Sequence, residues 1–320
     1  MSVTLNEMLK TAKTAYATMV IQDLLRQSKL LQLTPFADVS GLRIVGLRWQ
    51  TLPATGKRKL NAGYTEATGT TENVEETLSI YGGDVGIDRI FTKVEALFVD
   101  QLTLQTQMLT ESVTRSFNND FINGDHGVDP DGFEGLKKRV SNMPARYTIN
   151  LESGGVTLDV LASAANENKF IDALHKAKTF IGGEVDMWVC NETAKIGFGQ
   201  TLRRLALLDT TQDNYERTWE VFAGGKIADV GLKQDLATEI ILTTEGTDSV
   251  GTSIYGVKMG DETGLNGIQL GGTSPEPYDP LGGGEKEATP GYLRRMDWAI
   301  GLKNFSQNFS IVRVAGVKFV

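Results

Sequence analysis

The sequence predicts a mixed α+β fold in which one long helix supports several β-strands. A helical apolar repeat without proline runs for roughly thirty residues from Thr92. Short β-branched segments between glycine-rich turns fill much of the remaining chain. The 320 residues contain 35 glycines but only 8 prolines, a balance that favours turns and strands over disorder.

The N-terminal residues predict a separate amphipathic helix. Between residues 5 and 31, apolar side chains fall at three- and four-residue steps, with Asn6 or Thr4 as the cap. Thr34-Pro35 ends this helix because the residue before a proline avoids helical backbone angles. Its apolar side must pack on the main domain or on another subunit, and the sequence leaves both open.

The next segment predicts an extended hairpin, with strand-like limbs over residues 42–52 and 74–91 around a polar tip. Its charges are sorted between a basic set (Arg43, Arg48, Lys57, Arg58 and Lys59) and an acidic set (Glu66, Glu72, Glu75, Glu76, Asp84 and Asp88). Pairing within the hairpin would contribute roughly 0–1 kcal/mol per exposed pair, whereas presentation to neighbouring copies would steer and align them. Structureless loops of about twenty residues are uncommon in compact domains unless they are functional. The sequence therefore favours an assembly arm.

The long helix follows the hairpin and is predicted to end at Asn123-Gly124, where either residue can adopt a left-handed cap. At about 1.5 Å per residue it would be roughly 45 Å long. Thr106, Thr114 and Asn118 are predicted on its polar faces. Its apolar stripe consists of Phe98, Leu102, Leu109, Val113, Phe117 and Phe121.

The second half of the chain predicts alternating strands and helices, which indicates an α/β portion. Helices are expected over residues 165–181 and 194–208, with a buried strand over residues 186–190 between them. Further strands are expected over residues 156–161, 218–221, 226–230, 240–243 and 253–258, and in two segments near the C-terminus.

Composition excludes several functional classes. A net charge of −8 with both signs interspersed argues against a groove that binds nucleic acid by neutralising phosphates. Cys190 is the only cysteine, so an internal disulfide framework and a multi-thiolate metal site are excluded, and a reducing compartment is expected. The chain has no run of eighteen apolar residues and no signal-peptide pattern, so a soluble product is expected.

Catalytic and metal-binding signatures mostly fail. The phosphate-binding glycine motif is absent, and His126 and His175 lack zinc-ligand spacing. Acidic residues cluster between Asp125 and Glu134, but alignment with a calcium loop places Gly127 at the first ligand position and Lys138 at the last. Aspartates in such a turn usually bind backbone amides, so a weak calcium or magnesium site is only a minor hypothesis. No catalytic residue, cofactor site or metal site is predicted.

The order of these segments resembles the major capsid proteins of tailed bacteriophages, which have the Hong Kong 97-type fold. Three stretches carry the resemblance: Phe121-Ile122-Asn123-Gly124-Asp125 at the end of the long helix, Met187-Trp188-Val189-Cys190-Asn191 before a helix, and Trp298-Ala299-Ile300-Gly301-Leu302 followed by residues 312–317.

The resemblance implies a division of the chain into four parts. These are an N-terminal arm (residues 1–34), an extended loop (35–91), a peripheral domain with the long spine helix (92–155 and 284–308) and an axial α/β domain (156–283 and 309–320). Because the chain opens directly on the arm, a separate scaffolding protein, or none, is implied. Lys57 and Lys59 lie where some members crosslink covalently, but no motif identifies a partner for a crosslink.

The same resemblance implies a non-enzymatic shell protein of the virion, assembled in the host cytoplasm. Pentamers and hexamers would form an icosahedral or prolate head around double-stranded DNA, which they would contact non-specifically. Scaffolding, portal and decoration proteins are the other implied partners, and no membrane is involved. Three alternatives remain open: an encapsulin-type compartment, a hydrolase using the carboxylates near Asp125 to Glu134, and a β-rich surface-binding module.

Overall fold

A computed structural model describes residues 3–4, 28–90, 101–212, 218–271, 277–282, 284, 290–306 and 309–319. Residues 5–27 of the N-terminal helix predicted over residues 5–31, and the start of the long helix with Phe98, lie outside the described residues. None of the described helices combines the length and the apolar character needed to cross a bilayer.

The described helices and strands follow in chain order. The helices are α1 (Lys29–Leu33), α2 (Gln101–Asn123), α3 (Leu136–Ser141), α4 (Ala164–Phe180) and α5 (Glu192–Arg204). The strands are β1 (Val3–Thr4), β2 (Pro35–Val39), β3 (Arg43–Thr51), β4 (Thr70–Thr77), β5 (Ser79–Asp88), β6 (Thr148–Asn150), β7 (Leu158–Asp159), β8 (Met187–Cys190), β9 (Asp209–Gln212), β10 (Thr218–Phe222), β11 (Gly225–Asp229), β12 (Thr252–Val257), β13 (Asn266–Leu270), β14 (Gly291–Lys303) and β15 (Ile311–Lys318).

A five-stranded sheet in the order β1-β2-β13-β14-β5 packs against the long helix α2. Phe117 is fully buried at the centre of this contact. Its ring centroid lies within 6.4 Å of five other aromatic rings, those of Phe36, Tyr81, Phe121, Phe133 and Trp298. Tyr81 on β5 also donates a 2.6 Å hydrogen bond to Asp120 on α2. The helix and the sheet therefore share one aromatic core.

The apolar stripe of α2 is buried most completely towards its C-terminal end. Val113, Phe117 and Phe121 are buried, whereas Leu102 and Leu109 are partly buried. The helix ends at Asn123 as predicted, but close packing explains the glycine that follows. A Cβ atom at Gly124 would collide with the carbonyl oxygens of Phe133 and Asp120.

The prediction of polar faces on α2 is wrong for one stripe. Thr106, Thr110, Thr114 and Asn118 are buried. Each of these threonine hydroxyls donates to the carbonyl oxygen four residues earlier, at 2.7, 3.0 and 2.9 Å, so no hydroxyl requires water. Asn118 accepts a 2.7 Å hydrogen bond from Ser28, the cap of α1.

The second sheet has the order β6-β15-β12-β8-β11-β10-β9, with β7 also paired to β15. Its buried strand β8 and helices α4 and α5 lie close to the positions predicted from the sequence. β8 and β11 are parallel and α5 crosses between them, which confirms the α/β arrangement of this part. Asn191 caps α5 by accepting a 2.8 Å bond from the amide of Ala194.

The strand predicted over residues 240–243 does not form. Ile240 and Ile241 are buried, but their carbonyl oxygens accept side-chain hydrogen bonds from Asn123 (2.8 Å) and Asn191 (3.3 Å). Amide side chains thus take the place of a neighbouring strand.

The second limb of the predicted hairpin is shorter than expected. β3 and β4 pair with each other, and the hairpin closes where the amide of Leu78 donates to Leu42. Residues 79–88 then leave the hairpin as β5 and pair with β14 over ten residues. The division into four capsid parts stays a prediction, although β13 pairs with β14 and β6 pairs with β15 across its boundaries.

Candidate assembly interface

The hairpin of β3 and β4 has two unlike faces because side chains alternate along a strand. Ile44, Gly46 and Arg48 point towards the body of the protein, whereas Val45, Leu47 and Trp49 point outwards. The outward side chains are 57%, 63% and 63% exposed. Exposed apolar side chains next to one another commonly mark an interaction surface. We call these three residues the outer stripe.

The inner face rests on residues that lie between β14 and β15 in the chain. The ring of Phe305 covers Gly46 so closely that a Cβ atom there would lie 2.5 Å from the ring. Arg48 donates a 2.8 Å hydrogen bond to the carbonyl oxygen of Asn304 and lies over the ring of Phe309, 5.1 Å from its centroid. Burial lowers the pKa of Arg48, although Glu72 and Glu76 oppose this shift.

A buried ion pair holds the root of the hairpin. Arg139 on α3 binds both carboxylate oxygens of Glu76 on β4, at 2.6 and 2.7 Å, and both side chains are about 7% exposed. Arg139 also donates to the carbonyl oxygens of Glu134 (2.8 Å) and Leu302 (3.2 Å). Glu76 in turn accepts from the amide of Asn304 at 3.2 Å.

This pairing keeps the guanidinium of Arg139 charged. Burial alone would lower the pKa of Arg139, but the charge and hydrogen bonds of Glu76 keep it above its ordinary value. The guanidinium is therefore a permanent cation whose donors are bonded. The root of the hairpin is thus anchored to α3 and β14 of the same chain.

The tip, residues 52–69, is exposed throughout. Its apex is a turn in which Asn61 has a positive φ of 64° and the amide of Ala62 donates to Lys59 at 3.1 Å. Leu60 at the apex is 91% exposed. Arg58 donates to the carbonyl oxygen of Ala62 and stacks on Tyr64. The tip therefore presents Lys57, Arg58 and Lys59 around an exposed leucine.

The sorted charges do not all remain on the surface. Arg43 forms an ion pair with Glu75 across the hairpin, while Arg48 and Glu76 are engaged at the root as described above. Lys57, Arg58, Lys59, Glu66 and Glu72 are exposed. Sequence reasoning could not separate these two groups because it could not place α3 or the residues after β14 against the hairpin.

The aspartates of the turn after α2 accept hydrogen bonds from nearby groups of the same chain. Asp125 accepts from the amide of Gly127 (2.9 Å) and from Lys138 (3.0 Å), and Asp129 accepts from the amide of Asp131 (3.2 Å). The hydrogen bond from Lys138 is the main reason that the pKa of Asp125 is lowered. A lowered pKa does not suit an acid that must donate a proton. Within the described residues, no group of three or more His, Cys, Asp or Glu is arranged to hold a metal ion.

The other candidate reactive groups lie elsewhere. Cys190 is fully buried in β8, where burial raises the pKa of its thiol. His175 is exposed on α4 beside the ring of Phe222. A cavity of about 600 Å³ lies at the end of β11, where Lys29 and Lys195 both bind Asp229. These two lysines connect α1 and α5 to the second sheet.

The whole architecture has the class of fold found in solved structures of an encapsulin and of phage-type capsids. The structure is similar to the holo-SrpI encapsulin complex from Synechococcus elongatus (13% identity, TM-score 0.62, covering 91% of this chain and 89% of that chain). It is also similar to the capsid of the native GTA particle (14%, 0.59, 91% and 91%) and to Mycobacterium phage Bobi (11%, 0.58, 98% and 98%). The prediction of a Hong Kong 97-type fold is confirmed.

The sequence gives a narrower match within that class. Residues 46–195, which include the hairpin, α2 and β8, match the family described as Major capsid protein GP7. This match and the fold agree with the resemblance to major capsid proteins of tailed bacteriophages and support a structural shell protein of the virion capsid. A comparison with curated proteins found no match.

Proposed function

We propose that copies of this chain assemble through the hairpin into pentamers and hexamers, which form an icosahedral or prolate head around double-stranded DNA and catalyse no reaction. The outer stripe carries this proposal. Its three apolar side chains face away from the body, while the opposite face of the same hairpin is bound to the body by Gly46, Arg48 and Glu76. A hairpin fixed in this way presents its apolar side to another molecule.

Charge supports a second copy as that molecule. The chain has a net charge of −8, yet Lys57, Arg58 and Lys59 lie together at the exposed tip. A basic tip on an acidic protein is attracted to the surface of another copy, and such complementarity sets the register of association. The outer stripe would then contribute the buried apolar area of the contact.

The remaining roles belong to the same proposal and are supported by the resemblance to major capsid proteins of tailed bacteriophages. Assembly takes place in the host cytoplasm, with a scaffolding protein and a portal protein as partners and a decoration protein as a further partner. DNA is contacted without sequence recognition, since a chain with a net charge of −8 does not bind a packaged duplex tightly by neutralising its phosphates.

The test uses two hairpin variants and one control. Residues 53–68 are replaced by Asn-Gly, which can close a two-residue turn, and separately Leu47→Ser and Trp49→Ser are combined. Val156→Ser is the control because Val156 is also 63% exposed but lies outside the hairpin. We expect both hairpin variants to keep the wild-type circular dichroism spectrum but to form no shells by negative-stain microscopy and size-exclusion chromatography.

Three results would count against the proposal. Normal shells from both hairpin variants would exclude the hairpin as the assembly element. A wild-type chain that stays a monomer both alone and in the presence of a scaffolding protein would exclude the shell role. Particles that enclose a co-purified protein in place of nuclease-protected DNA would favour an encapsulin-type compartment, which the similarity to the SrpI complex keeps as the second candidate.

A further inference from the structure

Beyond its root, the hairpin contacts the body through the inward residues of β3. Along β3, each inward residue meets one specific feature of the body. Ile44 packs beside Leu78 and Ile268, Gly46 lies under the ring of Phe305, and Arg48 reaches Asn304 and Phe309. Beyond Arg48, the residues of β3 are exposed.

Phe305 has a particular place in the chain. It follows β14 of the first sheet and precedes β15 of the second sheet, as do Asn304 and Phe309. The residues that support the hairpin are thus residues that connect the two sheets. A change in the relation of the two sheets would move Phe305 and therefore the hairpin.

We infer that Asn304, Phe305 and Phe309 act as positioning residues that set the direction of the hairpin according to the relation of the two sheets. Gly46 is the sensitive point, because the three atoms nearest to an added Cβ atom all belong to the Phe305 ring, at 2.5, 2.5 and 2.7 Å. A single glycine therefore allows the ring to lie this close to the strand.

The size of the effect follows from the geometry. A methyl group at Gly46 needs about 3.5–4.0 Å from the ring carbons, so the strand must move by roughly 1 to 1.5 Å if the ring stays in place. Gly46 lies three residues beyond the start of β3 at Arg43, a lever of about 10 Å at about 3.3 Å per residue. Thr51, the last residue of β3, is eight residues beyond Arg43, about 26 Å at the same rise, so its displacement is roughly 3 Å, and Thr55 follows it in the exposed tip.

The experiment measures this displacement by double electron–electron resonance in the full chain. Spin labels are placed on cysteines that replace Thr55 at the tip and either Asn168 on α4 or Gln107 on α2, all exposed positions. Cys190 is the only native cysteine and is fully buried, so it does not compete for the label. Dilution with unlabelled chain removes distances between subunits.

We expect Gly46→Ala to shift the mean distance for at least one label pair by about 3 Å or more. Phe305→Ala should broaden the distribution, and adding Gly46→Ala to that variant should change nothing further, since the obstructing ring is gone. Gly63→Ala is the matched control, because an added Cβ atom there has no atom within 4 Å. Arg48→Met loses the hydrogen bond to Asn304 and the guanidinium contact with Phe309, so it should also broaden the distance distribution. It replaces Gly46→Ala as the test if that variant does not fold.

Two results would overturn the inference. One is unchanged distances in both Gly46→Ala and Arg48→Met. The other is a Gly46→Ala shift of the same size with and without Phe305. The consequence for shells rests on the proposed function: Gly46→Ala should alter shell size or shape by electron microscopy. The distance measurement needs no shells, so failure of wild-type assembly and failure of this inference are distinguishable.

Discussion

The buried pair of Arg139 and Glu76 offers the sharpest test of what holds the hairpin to the body. Arg139→Met removes the guanidinium but keeps most of the volume of the side chain. Glu76 would then remain 6% exposed without its cation, retaining only the amide of Asn304 as a described donor. The expected result is a large loss of stability.

The magnitude follows from the burial of both groups. Removing one partner of a buried ion pair costs about 3–5 kcal/mol, because the other charge is left uncompensated. Against a typical free energy of unfolding of about 5–15 kcal/mol, this is a substantial fraction. Each kcal/mol lowers the melting temperature of a chain of this size by about 2–4 °C, so the expected decrease is about 6–20 °C. Glu76→Leu combined with Arg139→Met should cost less than Arg139→Met alone, since no buried charge remains.

The assay is urea unfolding of unassembled subunits, followed by circular dichroism. Arg295→Met is the matched control. Arg295 binds Asp84 through two hydrogen bonds of 2.6 Å, a similar two-bond geometry, but these side chains are 41% and 43% exposed. Arg295→Met should lose much less stability than Arg139→Met, because water screens an exposed ion pair. If the two arginine variants lose equal stability, or if the double variant is the least stable, the reasoning is refuted.

Three further predictions concern the core and the second sheet. Phe117→Ala should cost about 3–5 kcal/mol in the same urea assay, because it empties the centre of the aromatic core; a loss below about 1 kcal/mol would contradict this. Cys190 should react with a thiol reagent only after the chain unfolds. Labelling of the native chain at the rate of a free thiol would show that the reagent can reach Cys190 in β8. Glu245 is half-buried, which by itself raises its pKa, but bonds from Ser253, Arg313 and Lys137 lower it below its ordinary value of 4.5. The stability that Glu245 contributes is therefore present above about pH 4.5 and is lost as the pH falls through its lower pKa in the folded state. Glu245→Gln should reduce the loss of stability below pH 4.5. An unchanged pH profile would exclude this role.

The apolar periodicity of the sequence was sufficient to predict most of the regular helices and strands of this chain. The positions of α4, α5 and β8 follow from apolar patterns and from turn and cap residues that lie within a few residues of each element. The end of α2 at Asn123 is likewise a local feature. The order of these segments was also enough to suggest the fold, because the order of helices and strands along a chain can be compared with a known family without knowledge of the tertiary contacts.

The charge pattern of the sequence was not sufficient to predict which charged residues of the hairpin remain exposed at the candidate interface. The sequence placed Glu75 and Glu76 in one acidic set, but Glu75 pairs across the hairpin with Arg43 and Glu76 turns inward to Arg139. Adjacent residues on a strand face opposite sides, so their roles depended on which side the body occupies. The buried threonines of α2 show the same limit, since a hydroxyl that bonds its own helix can be buried although it is polar.

The sequence by itself determined α4, α5 and the end of α2, most of the strands, the class of fold and the presence of a hairpin with a basic tip. The tertiary structure alone decided which face of that hairpin is available, because this depends on Phe305 and Arg139, which lie 259 and 63 residues from Gly46 and Glu76 respectively. Local patterns encode backbone angles and alternation. Contacts across such separations arise only when two sheets and a helix pack around a common core.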